Sequence, residues 1–167
     1  PLADALNAAG HPVFTVPALG INRRAIPEQA RRVAQRIIEL DLTDVTIVAH
    51  SKGGIIGKHV LTDTTVRDRV ARVVTVASPF AGTPMAHLGL TPVLREFLPV
   101  DTVIAFLAAE ANVNAKIVSI APAQDSYIPG GSYLDGARNV TLPVAGHFRI
   151  LHDPRLPALV VNEVERP

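Results

Sequence analysis

Val45-Thr46-Ile47-Val48-Ala49-His50-Ser51-Lys52-Gly53-Gly54 carries the decisive pattern of the chain. Its first half is a run of mostly β-branched apolar residues, the composition of a strand buried on both faces of a parallel sheet. At Ala49 the run gives way to small–x–Ser–x–Gly centred on Ser51, and residues 55–61 then place apolar side chains at helical spacing. Strand, serine-centred reversal and helix in this order form a nucleophile elbow. So tight a reversal admits only small residues two before and two after the serine. Gly53 meets that condition directly, and Ala49 meets it with one added methyl. The hydroxyl is lifted above the sheet beside a helix N-terminus, where free N–H groups and the helix dipole favour a developing negative charge. The competing reading is a surface serine in a Gly-rich loop.

Outward from the elbow, the chain alternates helix and strand. Leu2, Ala5, Leu6 and Ala9 share a helical face that Gly10 terminates, and residues 13–16 (Val-Phe-Thr-Val) read as a short buried strand. Pro27 suits the first turn of a helix with an apolar stripe of Ala30, Val33, Ala34, Ile37, Ile38 and Leu40, while Arg31, Arg32 and Arg36 form its solvated face. After the elbow helix come a strand over 71–77, a Pro/Gly loop over 78–84, and an apolar stretch over 88–111 expected to form one or two short helices. A strand over 116–120, a loop over 121–131, a strand over 139–144 and a helix over 154–165 complete the chain. Pro143 puts the last strand at or near a sheet edge. The expectation is an α/β fold in one domain, 1–167, with a mostly parallel sheet of five strands covered by helices on both faces. Function in such sheets collects at the carboxyl ends of the strands, where Ser51, the loop after Ala77, Asp125 and His147 all fall.

Composition narrows the chemistry. With 167 residues, 48% of them hydrophobic and 19% charged, a substantial core is expected and disorder is not. Sixteen basic residues against fifteen acidic ones (net charge +1) give no electrostatic case for nucleic acid or an acidic membrane. Aromatics at 4%, with no Trp, argue against a stacking platform for bases or sugars. The absence of Cys removes disulfides, thiolate metal sites and a thiol nucleophile. No apolar run approaches the ~20 residues that span a bilayer.

A serine needs a base to take its proton, and a histidine base needs an acid to fix its tautomer. His147 follows the last strand in Val144-Ala145-Gly146-His147-Phe148, where a short loop could carry its ring over Ser51; His152 is the alternative. His50, adjacent to Ser51, is expected to pack and bond locally. For the acid, Asp125 follows the strand over 116–120, with Asp101 as rival, Asp135 better suited to a turn, and an Asx turn the competing role for Asp125 itself. Phe80, Met85 and Leu88 are candidates to line an acyl pocket, although core packing competes for most such residues.

Ala49-His50-Ser51-Lys52-Gly53-Gly54 resembles the Ala-His-Ser-x-Gly-Gly elbow of small bacterial lipases and esterases with a minimal, lid-less α/β-hydrolase fold. The likeness continues through residues 73–76, 119–125, 134–140 and on to Gly146-His147, while Ser78-Pro79-Phe80-Ala81-Gly82-Thr83-Pro84 is similar to a loop of other lipases. The resemblance implies ester hydrolysis through an acyl-enzyme, with Ser51 as nucleophile, His147 as base and then acid, and Asp125 as orienting carboxylate. It implies no metal or organic cofactor, a small ester or lipid as substrate, and a secreted protein. The Lys52 backbone N–H would be one oxyanion donor; the second, from a loop after an N-terminal strand, would lie upstream of Pro1, so the domain is expected to be N-terminally incomplete. The Lys52 side chain, where relatives often carry an apolar one, is expected to face solvent, the alternative being that it tunes the acyl or leaving-group side. An inert hydrolase-fold module and an acyltransferase are the competing functions.

Overall fold

A computed structural model describes residues 2–21, 23–84, 86 and 96–166. Helix α1 (Leu2–Ala8) ends as its sequence predicts: Gly10 takes a φ of 89°, its N–H bonding Asn7 O while His11 N reaches back to Leu6 O. Helix α2 (Ile26–Glu39) carries Pro27 in its first turn and buries Ala30, Val33, Ala34 and Ile37, leaving Ile38 exposed. Strand β1 (Val45–His50) leads through Ser51 into α3 (Lys52–Thr62). Then follow β2 (Val70–Val76), α4 (Thr102–Ala109), β3 (Ile117–Gln124), β4 (Arg138–Ala145) and α5 (Leu156–Glu165).

The four strands are all parallel and lie side by side in chain order, β1-β2-β3-β4. Side chains alternate between the two faces of each strand, so each face gains its own core. Val70, Val73 and Ile117 pack with residues of α2, α3 and α4, such as Ile37, Ile55, Leu61 and Leu107. On the other face Val74, Val76, Val118 and Ile120 meet Leu6 of α1 and Leu156 and Val160 of α5. The last strand is an edge of the described sheet, as Pro143 suggests, and the bidentate pair Arg138–Glu163 (2.8 and 3.0 Å) clamps it to α5. None of the described helices is long and apolar enough to cross a membrane.

Two expectations are corrected. Residues 13–16 form no strand, and Phe14 is 50% exposed. A β-rich composition yields a strand only where a neighbour accepts its backbone bonds, and here Val13 N turns to the Asn7 side chain instead (3.2 Å). The described sheet therefore has four strands, not five. Likewise β1 is less deeply buried than expected: it is the other edge of the described sheet and all six of its residues are half-buried, although Val45 and Ile47 pack on one core and Val48 on the other.

Helix α3 lies unusually close to β2 because it presents glycines to it. A Cβ at Gly57 would sit 2.7 Å from Val73 Cγ1, and one at Gly54 only 2.1 Å from the buried Ser78 Oγ and 2.7 Å from Ser78 Cβ. Gly54→Ala is expected to cost about 1–3 kcal/mol through overpacking, with part of the loss recovered on adding Ser78→Gly; thermal unfolding of the single and double variants checks this. The same helix buries Lys58, which is 2% exposed. Burial draws its pKa down to about 8 from the ordinary 10.5, against a smaller opposing effect of Glu110. Between those values the unfolded chain holds a proton that the folded one has shed, so this lysine makes stability rise with pH across the window. Lys58→Met should then stabilise the fold at pH 7 by on the order of 1–3 kcal/mol, with the gain fading as denaturation is repeated towards pH 10.

Candidate functional site

Ser51, Asp125 and His147 lie beyond the carboxyl ends of β1, β3 and β4. Ser51 has φ 53° and ψ −121°, a conformation sparsely populated by residues with a side chain. The surroundings hold it there. Its N–H extends the β1–β2 ladder to Val76 O (2.8 Å), and Gly54 N bonds back to Ser51 O (3.0 Å). A Cβ at Gly53 would come within 3.0 Å of Ala49 Cβ, which accounts for small residues at both positions flanking the serine.

The chain after β4 turns at Gly146 (φ 114°), whose N–H bonds Gln124 O, and sends His147 back across the sheet. His147 Nε2 lies 3.0 Å from Ser51 Oγ, and its Nδ1 lies 2.8 Å from Asp125 Oδ2. The histidine and aspartate side chains are 5% and 2% exposed, so this ion-pair geometry is shielded from water. A carboxylate can only accept, so Nδ1 carries the proton and Nε2 is free to accept from the serine.

The Asx turn and the contact with histidine are not alternatives for Asp125. Its Oδ1 accepts from Tyr127 N (2.9 Å) and Ile128 N (3.1 Å), while Oδ2 faces His147. The 78–84 loop braces this turn, Thr83 Oγ1 donating to Tyr127 O (2.7 Å) and Thr83 N to Phe97 O (2.6 Å). The rivals stand elsewhere: Asp101 caps α4 by accepting from Val103 N (2.8 Å), and Asp135 and His152 are exposed.

Lys52 departs from expectation. Its side chain does not face solvent: the residue is 7% exposed, and Nζ donates to Arg24 O (2.6 Å) and pairs with Glu96 Oε2 (2.9 Å) beside the Phe97 ring. A carbonyl and a carboxylate brought in by distant segments offset the charge, and nothing in the local sequence announces them. The Lys52 N–H begins α3, where the first turn has no intrahelical partner to offer it. Phe80 is buried in the core shared with α2 and α3, whereas Met85 and Leu88 lie outside the described residues.

Sequence reasoning also underrates His50. Its Nε2–H donates to the His147 carbonyl (3.0 Å), a bond spanning 97 positions, and the two rings are 4.8 Å apart. Burial holds its pKa below the usual histidine value, with the carbonyl bond opposing that shift, so the ring is neutral at pH 7. Tyr127 and Phe148 complete a ring cluster around His147, at 5.2 and 4.9 Å between centroids. Among the described residues no group of three or more His, Asp or Glu converges as a metal site would.

Several solved structures share this architecture. An extracellular α/β-hydrolase from a Paenibacillus species, described as sharing structural and functional homology with tobacco salicylic acid binding protein 2, aligns with 99% of this chain and 92% of its own (TM-score 0.65, 18% identity). The mature form of Bacillus licheniformis lipase BlEst2 aligns over 95% and 82% (TM-score 0.67, 14% identity). A hydrolase from Oleispira antarctica, olei00960, aligns over 86% and 73% (TM-score 0.59, 15% identity). At these identities the likeness is one of fold. No curated protein sequence matches the chain significantly. Residues 24–126, from the loop before α2 to the turn holding Asp125, match the family described as the PGAP1-like alpha/beta domain. That match spans more than half of the chain, which therefore belongs to this family, and its fold is that of the α/β-hydrolases.

Proposed function

We propose that this protein is a serine hydrolase that cleaves carboxylic esters through an acyl-enzyme on Ser51. The observation that carries the reading is the unbroken relay from Asp125 Oδ2 to His147 Nδ1 (2.8 Å) and from His147 Nε2 to Ser51 Oγ (3.0 Å). Ser51 Oγ attacks the ester carbon as Nε2 takes its proton, and Asp125 stabilises the imidazolium. The Lys52 N–H at the head of α3 faces the oxyanion, and the helix dipole adds to its effect. As the tetrahedral intermediate collapses, the carbon–oxygen bond to the alcohol breaks and Nε2 returns the proton to the departing oxygen. Water, deprotonated by the same nitrogen, then releases the acid and restores the serine. His50 is a positioning residue, holding the His147 carbonyl so that the ring keeps its place. The lipase among the neighbours is in keeping with an ester substrate.

Labelling with a fluorophosphonate, followed by hydrolysis of p-nitrophenyl butanoate, tests this reading. Stoichiometric labelling at Ser51 that disappears in Ser51→Ala is expected; hydrolysis that survives the substitution would refute the assignment. Asp125→Asn should lower kcat by roughly 10⁴-fold, because the amide favours the wrong histidine tautomer. His50→Phe keeps a ring but removes the donor to His147, and a kcat lower by about tenfold with little change in KM is expected from steady-state assays.

A further inference from the structure

Tyr127 and Phe148 are each 55% exposed, yet neither sits at random on the surface. Their rings meet edge to face at 5.5 Å, and both lie within about one ring width of His147. Tyr127 is held from both sides, its N–H by Asp125 Oδ1 and its carbonyl by Thr83 Oγ1. Phe148 follows His147 directly and also contacts His50 (5.6 Å). The chain has only seven Phe and Tyr residues, so composition argues against an aromatic platform; the fold nevertheless gathers two of them here, half out in solvent.

The proposed chemistry says what should meet them. The nitrogen that protonates the departing oxygen is His147 Nε2, so the alcohol half of the ester must leave over the imidazole. The acid approaches that ring from its Nδ1 side and is buried, and the half-exposed rings packed against the imidazole are Tyr127 and Phe148. On this basis, and resting on the hydrolase reading above, we infer that Tyr127 and Phe148 form a binding platform for the alcohol half of the substrate and select esters of ring-bearing alcohols. Two rigid aromatic faces reward a flat or cyclic partner beyond its apolar area, whereas a flexible chain of equal size loses rotamer freedom on docking.

Benzyl, cyclohexylmethyl and n-heptyl butanoate test this, since all three alcohols have seven carbons and only two carry a ring. The wild-type kcat/KM is expected to favour both ring esters over the heptyl ester by roughly tenfold. In Tyr127→Leu/Phe148→Leu, which keeps apolar bulk without the ring faces, that ratio should fall to about one; each single variant should give an intermediate value. A wild-type ratio near one, a preference for benzyl alone, or a ratio that survives the double substitution overturns the platform. So does an enzyme that labels with fluorophosphonate but hydrolyses none of the three. A wild-type chain that fails to label at Ser51 instead overturns the hydrolase reading itself.

Discussion

The contact between His147 Nε2 and Ser51 Oγ bridges the whole described sheet, and the rest of the site is arranged to make it possible. Ser51 extends from β1 and His147 follows β4, the two edges, so three strand spacings of about 4.8 Å separate their strands. No side chain covers roughly 14 Å. The gap closes because Gly146 turns the chain inward directly after the β4 ladder, and because His50, beside the serine, holds the arriving backbone by its carbonyl. The histidine is thus tied to the serine's strand at two points, one through its ring and one through its main chain. Asp125, from the strand next to β4, needs no such reach.

Strain at Ser51 is sustained by the packing of α3 on β2. A left-handed serine would relax if the helix could rise from the sheet, and Gly54 and Gly57 let the helix lie where it cannot. Ala77, directly after β2, also takes a positive φ (49°), its N–H fixed to Ile120 O. Two successive strands therefore end in left-handed residues, and the loops after them leave the sheet sharply. Charge is managed as tightly. Lys52 opens α3 with a cation, the wrong sign for a helix N-terminus, and Glu96 and the Arg24 carbonyl offset it. The proposed oxyanion donor thereby belongs to a residue anchored at its backbone by the helix and at its side chain by two other segments.

Much of this was legible in the sequence because it is local. The elbow, the Gly10 cap, the Pro27 helix start and the edge character of the Pro143 strand each depend on neighbours a few residues away. Order along an alternating chain put Ser51, Asp125 and His147 ahead of the rivals His152 and Asp101, and hydrogen bonds join these three side chains. What was illegible is long-range. Residues 13–16 have strand composition, but composition cannot say whether another strand lies alongside. The fate of Lys52 depends on Glu96 and Arg24, and that of His50 on a carbonyl 97 positions away. An adjacent histidine carries no signal that distinguishes a local bond from one across the sheet. The ring cluster was hidden by averaging, because seven aromatics in 167 residues say nothing of where they gather.

The pairing of β1 bears on how the serine keeps its geometry. Among the described residues β1 pairs with β2, with a register shift near its start at Val45 and regular pairing from Thr46 to His50. The regular part is the end that carries the serine, and Ser51 N prolongs it by one more bond to Val76 O. Helix α3 packs against β1 and β2, with its first residue pinned through the Lys52 side chain and its glycines seated on β2. The other edge repeats the logic: Gly146 N adds a bond to Gln124 O beyond the irregular end of the β3–β4 ladder, immediately before His147. Ser51 and His147 thus both follow a backbone bond that outlasts its strand. A hydroxyl and an imidazole at opposite margins of the described sheet stay within hydrogen-bonding distance because each margin is fixed up to the residue that carries the group.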